Sequence, residues 1–74
     1  MVKIDMEAAK RRYAKNSLKA FLEGKKSLKW IVGVIESSGV RGQILQDIFQ
    51  ELQHYGDPLR WQEAYQACQE REWL

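Results

Sequence analysis

His54 and Cys68 are the residues whose types could combine as a base and a nucleophile, since the chain contains one histidine and one cysteine. They fall on different predicted helices, and no glycine-rich loop near them offers backbone amides to an oxyanion or a phosphate. A cysteine in an apolar helix stripe is typical of a small buried side chain, and a histidine at a helix C-terminus interacts favourably with the helix dipole. The sequence therefore predicts a protein that is not an enzyme and needs no cofactor.

The same two counts exclude the covalent and metal supports of many small domains. A single cysteine cannot close an intramolecular disulfide, and one cysteine with one histidine cannot supply a four-ligand zinc site within one chain. The lack of a disulfide framework and of an apolar N-terminal leader favours the cytoplasm. The densest apolar run, residues 30–35, is far shorter than the about 20 residues that span a bilayer, so no membrane association is expected.

A cluster of cationic side chains in the first 29 residues could attract an anionic partner. Residues 1–29 contain nine Lys or Arg and three Asp or Glu, a net charge of +6, whereas residues 30–74 contain three Arg and seven acids, a net charge of −4. This split indicates an anionic ligand for the basic segment, although a basic helix can equally pair with an acidic one in the protein's own assembly. The candidate phosphate-binding residues of this segment are Arg11, Arg12, Lys15, Lys19, Lys25, Lys26 and Lys29.

A turn at Gly39 between two predicted helices approximates the spacing of a helix-turn-helix. The motif needs a glycine in the turn, an apolar residue after it, and buried positions about six and nine residues beyond it. These positions are held by Gly39, Val40, Leu45 and Ile48. Two features depart from the motif: Ile35 is larger than the residue favoured four positions before the glycine, and Ile44 falls on the side expected to be polar and to face the groove.

In such a motif Arg41, Gln43 and Gln46 would face base edges, because Arg reads guanine and Gln reads adenine through paired hydrogen bonds. A helix-hairpin-helix is a second near match, but its turn here, residues 39–42, is one residue too long. An ordinary helical hairpin with Gly39 as its C-cap is the alternative to both motifs.

Aromatic side chains exceed what so small a core can hide, which favours protein binding as the competing function. Tryptophan and tyrosine often anchor interfaces because they bury much area while keeping a polar tip. The candidate partner-binding residues are Trp30, Trp61, Trp73 and Leu74. A second helix that is apolar on all sides also suits a homodimer interface. The alternative is that a minimal core uses large side chains to gain buried area.

Apolar periodicity predicts an all-α single domain spanning residues 1–74, with the third of its four helices central. The predicted helices are near residues 5–23, 28–37, 40–55 and 58–72. The apolar side assigned to the first helix is thin, so this helix is expected to dock weakly. That side consists of Met6, Ala9, Tyr13, Ser17 and Ala20.

Capping residues mark the ends of these predicted helices. Asp5, Ser27 and Asp57 are expected to cap the N-termini of the first, second and fourth helices, with Pro58 in the first turn of the fourth. Gly24 is expected to end the first helix and Gly56 the third.

Two functions follow from these features. The primary hypothesis is a small DNA-binding or DNA-associated regulator, with the basic N-terminal helix on phosphates and with Arg41 and Gln43 nearest the bases. The alternative is a helical protein-binding adaptor or inhibitor, monomeric or dimeric, anchored by exposed aromatic side chains.

Overall fold

Four α-helices form the structure, a computed structural model that describes residues 6–74 and contains no strand in that range. The helices are α1 Met6–Leu22, α2 Leu28–Ser38, α3 Gln43–Glu51 and α4 Pro58–Glu70. They enclose one cluster of buried apolar side chains, so the predicted all-α class is confirmed. Every helix in the described range is too short or too polar to span a bilayer.

The predicted N-caps at Ser27 and Asp57 are present, whereas Gly56, predicted to end the third helix, lies beyond its observed end at Glu51. The Ser27 hydroxyl accepts a hydrogen bond from the Trp30 backbone N–H at 3.1 Å, and the Asp57 carboxylate accepts one from the Leu59 N–H at 2.9 Å. Gly39, at the end of α2, has a φ of 72° and donates its N–H to the Ile35 carbonyl. The predicted cap at Asp5 lies outside the described residues. The confirmed caps depend on neighbours within about four residues, which explains why the sequence reveals them.

The last carbonyl groups of α1 accept hydrogen bonds from the residues that follow the helix and from the loop between α3 and α4. Gly24, with a φ of 83°, donates to the Phe21 carbonyl, and Lys25 donates to the Ala20 carbonyl, each at 3.0 Å, which is the Schellman pattern. The Asp57 N–H donates to the Leu22 carbonyl at 3.1 Å. Glycine is required at the preceding position, residue 56, because a Cβ there would lie 2.6 Å from the same carbonyl oxygen.

The central element is α1, not the third helix as predicted. α1 packs against all three other helices, and α2 packs also against α4. Its buried face is formed by Ala14, Ser17, Leu18, Phe21 and Leu22. The predicted face was correct at Ser17 and wrong at Met6, which is 63% exposed, and at Tyr13, which is 55% exposed. The large side chains in the second half of α1 bury far more apolar area than the alanines of its first half, and their position decides which side faces the core.

α3 is shorter than predicted at both ends. It begins at Gln43, after Gly42 with a φ of 64°, and it ends at Glu51. The Gln53 and Tyr55 N–H groups each donate to the carbonyl three residues earlier, so the chain leaves the α-helix in tight turns. Leu45, Ile48 and Phe49 of α3 are buried, while Ile44 is 38% exposed.

Candidate nucleic-acid interface

Arg41 is predicted from the sequence to read bases. In the structure its side chain binds the end of α2. Its guanidinium donates to the carbonyl oxygens of Ile35 at 3.0 Å, Val40 at 2.8 Å and Glu36 at 3.3 Å. The centre of the guanidinium also lies 4.2 Å from the centroid of the Trp73 ring. Arg41 therefore adds a charged donor at the end of α2, where the Ile35 carbonyl also accepts from the Gly39 N–H and the Ser38 hydroxyl. Three of its five N–H donors are thereby engaged within the chain.

Gln43, the second predicted base-reading residue, lies at the start of α3 and is exposed. Its side-chain amide donates to the Asp47 carboxylate at 2.8 Å, one turn along the same helix. The main packing partner of α3 is α1, whereas α2 packs on α1 and α4. In a helix-turn-helix the second helix rests on the first. The motif stays a prediction, and the structure gives two of the three proposed reading residues, Arg41 and Gln43, partners within the chain.

Two residues of the predicted basic surface, Arg11 and Lys15, bind one carboxylate. The Arg11 guanidinium lies 2.7 Å and the Lys15 ammonium 3.0 Å from the two Glu51 oxygens. The Lys15 hydrogen bond is the main reason why the pKa of Glu51 lies below its ordinary value. These cations hold α1 beside α3, in agreement with the basic-on-acidic assembly considered from the sequence, and their net field toward an outside anion is reduced.

Two further cations cluster around Glu23. Lys25 lies 3.1 Å from the Glu23 carboxylate, and the Tyr55 hydroxyl donates to the same group at 2.5 Å. The Tyr55 hydrogen bond is the largest cause of the lowered pKa of Glu23. The Lys19 ammonium lies 5.2 Å from the centroid of the Tyr55 ring. Lys19 therefore lies near an aromatic ring of this chain, and Lys25 is paired with Glu23 although its side chain is 69% exposed.

Four cations form no salt bridge with a described residue: Lys10, Arg12, Lys26 and Lys29. All four are exposed. The Lys26 ammonium lies 5.1 Å from the centroid of the Trp30 ring, a cation–π distance. These residues are the cations best placed to attract an outside anion. Lys10 was not among the predicted site residues.

Lys10 and Lys29 lie beside a groove between α1 and α2. Its larger part has a volume of about 530 Å³ and is lined by Tyr13, Ser27, Lys29, Trp30, Gly33, Val34 and Ser37. A second part of about 320 Å³ is lined by Ala9, Lys10, Tyr13, Ser37 and Ser38. The two parts share Tyr13 and Ser37, and together they are called the α1–α2 groove. No described acidic residue lines it.

Sequence reasoning missed Lys10 and Tyr13 as members of one surface. They are three residues apart, a spacing that places two side chains on one side of a helix. The spacing is visible in the sequence, but its meaning depends on which side of α1 is buried. The sequence places Tyr13 in the core, whereas among the Phe, Tyr and Trp side chains of residues 6–74 it alone is more than half exposed.

Four residues are predicted from the sequence to bind a partner as exposed anchors. In the structure their side chains are only partly exposed. Trp30, Trp61, Trp73 and Leu74 all pack against the core cluster. The Trp61 indole N–H donates to the Phe49 carbonyl at 2.9 Å, and its ring stacks on Tyr65 with centroids 5.0 Å apart. The Trp73 carbonyl accepts a hydrogen bond from the Gly42 N–H at 2.7 Å. These contacts agree with the alternative considered from the sequence, in which a small core gains area from large side chains.

Cys68 is buried, and burial raises the pKa of its thiol to about 11. A neutral buried thiol is a poor nucleophile. Within residues 6–74 no three His, Cys, Asp or Glu side chains are grouped so that they could hold a metal ion.

No protein-family model matches the chain, and neither a curated protein nor a solved structure matches it.

Proposed function

We propose that the protein is a non-enzymatic DNA-binding or DNA-associated protein that holds phosphates beside the α1–α2 groove. The observation that carries this proposal is a surface of cations without acidic partners. Lys10 and Lys29 line the groove, Lys26 lies against Trp30 at its edge, and no described carboxylate lines it. Lysine side chains of this kind gain affinity for DNA by releasing condensed counterions.

The proposed phosphate-binding surface differs from the one predicted from the sequence, because it leaves out Arg11 and Lys15. Arg11 and Lys15 share Glu51, so binding of a phosphate there would compete with an existing ion pair. Lys10 and Lys29 have no such competitor among the described residues. Exposed ion pairs are worth little in stability, but they lower the local positive potential that attracts DNA.

The test is fluorescence anisotropy of labelled DNA, both duplex and single-stranded, at two salt concentrations. If three lysines each neutralise one phosphate, affinity should fall about 40-fold for duplex and about 20-fold for a single strand between about 50 and 200 mM salt. The double variant K10Q/K29Q should weaken binding of every sequence and lower the salt slope by about two units.

Lys15→Gln provides the matched control, since it removes one positive charge from the same helix as Lys10. It should weaken binding less than Lys10→Gln does, because Lys15 is already paired with Glu51. A larger loss in K15Q would move the site to the face that contains Arg11 and Lys15. Absence of binding to either form of DNA at low salt would refute the proposed function.

A further inference from the structure

We infer that the occupant of the α1–α2 groove is an unpaired DNA strand, with bases stacked on Tyr13 and Trp30. The phosphates would lie near Lys10, Lys26 and Lys29. This inference rests on the proposed function and names its substrate. Proteins that bind single strands without sequence preference combine a cationic groove with aromatic side chains on which bases stack, and the groove contains both.

Tyr13 supplies the exposed aromatic surface. It is 55% exposed at the groove, and its ring makes no aromatic or cation–π contact with another described residue. Burying such a ring against a base gains affinity without disturbing the core, since Tyr13 is outside the core cluster. Trp30 lies across the same groove, and Lys26 beside its ring offers a positive charge next to a stacking surface.

Small residues of α2 line the same groove as these rings. Gly33 and Ser37 are one turn apart on α2 and both line the groove. A Cβ added at Gly33 would meet no atom within 4 Å, so the packing within the chain does not require glycine there. Glycine inside a helix costs about 1 kcal/mol relative to alanine. Packing within the fold does not explain glycine at this position. An open wall of the α1–α2 groove does explain it.

The groove favours an unpaired strand over a duplex. Its walls are two neighbouring helices, which typically pack about 8–10 Å apart, and paired bases stacked inside a duplex cannot enter between them. Unpaired bases can turn outward and reach an aromatic ring. A duplex could contact only the lysines at the rim, without stacking.

The groove offers little to recognise the 2′-hydroxyl of RNA. The hydroxyl groups of Ser37 and Ser38 donate to the carbonyl oxygens of Gly33 and Ile35 at 2.9 and 2.8 Å, and Ser27 accepts from the Trp30 N–H at 3.1 Å. The O–H groups of Ser37 and Ser38 are thus engaged with the backbone of α2, whereas the Ser27 hydroxyl acts there as an acceptor. A strand of RNA should therefore bind within about threefold of DNA of equal length, because discrimination requires contacts to the 2′-hydroxyl.

The experiment compares wild type, Tyr13→Ala and Tyr13→Phe with four probes by anisotropy or competition. The probes are labelled oligo-dT of about 12 nucleotides, a duplex of the same length, oligo-rU and a poly-glutamate peptide of equal charge. Wild type should bind the strand more tightly than the duplex or the peptide. Y13A should lose about 5- to 150-fold on the strand, corresponding to one stacked base, and little on the duplex. Y13F should retain binding because the ring persists. Unchanged melting by circular dichroism establishes that both variants fold.

Four outcomes would overturn the inference. They are a duplex bound as tightly as the strand, a strand affinity that Y13A leaves unchanged, poly-glutamate bound as tightly as oligo-dT, and oligo-rU bound more than about tenfold tighter than oligo-dT. The first two leave the proposed DNA binding standing, and the third assigns the groove to an acidic peptide. Failure of both DNA forms to bind at low salt refutes the inference and the proposed function together.

Discussion

Replacing Gly56 with alanine should be among the most damaging single-methyl changes in this protein. Residue 56 has a φ of 68°, and an added Cβ would lie 2.6 Å from the Leu22 carbonyl oxygen and 2.8 Å from the Leu22 Cβ. The left-handed conformation costs alanine about 1–2 kcal/mol. Movement of the loop to relieve the clash breaks the bond from the Asp57 N–H to Leu22, worth about 1 kcal/mol. The expected loss of unfolding free energy is about 2–3 kcal/mol.

The measurement is urea and thermal unfolding followed by circular dichroism. In a domain of this size the loss should lower Tm by about 10–20 °C. Gly33→Ala is the matched control, because the same methyl group is added inside α2 where nothing lies within 4 Å. It should raise the unfolding free energy by about 1 kcal/mol through helix propensity. A G56A protein within about 0.5 kcal/mol of wild type would contradict the close approach of the loop to α1.

Three further changes test individual contacts. Arg41→Met should lower the unfolding free energy by about 2 kcal/mol, because three carbonyl groups lose a charged donor; a loss of DNA affinity without a loss of stability in urea unfolding would instead favour base reading. Glu72→Gly should raise stability by about 1 kcal/mol in the same assay, since Glu72 has a φ of 60° at the end of α4; no gain would mean that the left-handed turn does not persist. The lowered pKa of Glu51 means that its contribution is present above its ordinary value of 4.5 and is lost as pH falls through the lower folded-state pKa. The stability difference between wild type and Glu51→Gln should therefore shrink as pH falls below 4.5, and a difference that grows with acid would refute the ion pairs with Arg11 and Lys15.

The C-terminal turns illustrate the limit of local sequence signals. Gly24 ends α1 through the Schellman hydrogen bonds, and glycine before a polar segment predicts such an end. α4 ends with the same pair of hydrogen bonds, from Glu72 to Gln69 and from Trp73 to Cys68. No glycine marks that end, so nothing in the sequence predicts the turn that brings the Trp73 carbonyl to the Gly42 N–H.

Charge alone likewise did not locate the candidate site. The +6 segment was visible in the sequence, but lysines and arginines of equal formal charge have different surroundings in the fold. Lys15 meets Glu51, 36 positions later in the chain, whereas Lys10, five residues before Lys15, lines the α1–α2 groove. Contacts between residues far apart in sequence cannot be read from a helical period.

The sequence by itself determined the helix class, most helix starts and the net charge of each half, because these follow from period, capping residues and composition. The tertiary structure alone decided that α1 is central, that Arg41 closes the end of α2, and that Tyr13 faces an open groove. Each of these depends on which apolar side chains bury the most area together, and that choice is made jointly by all four helices.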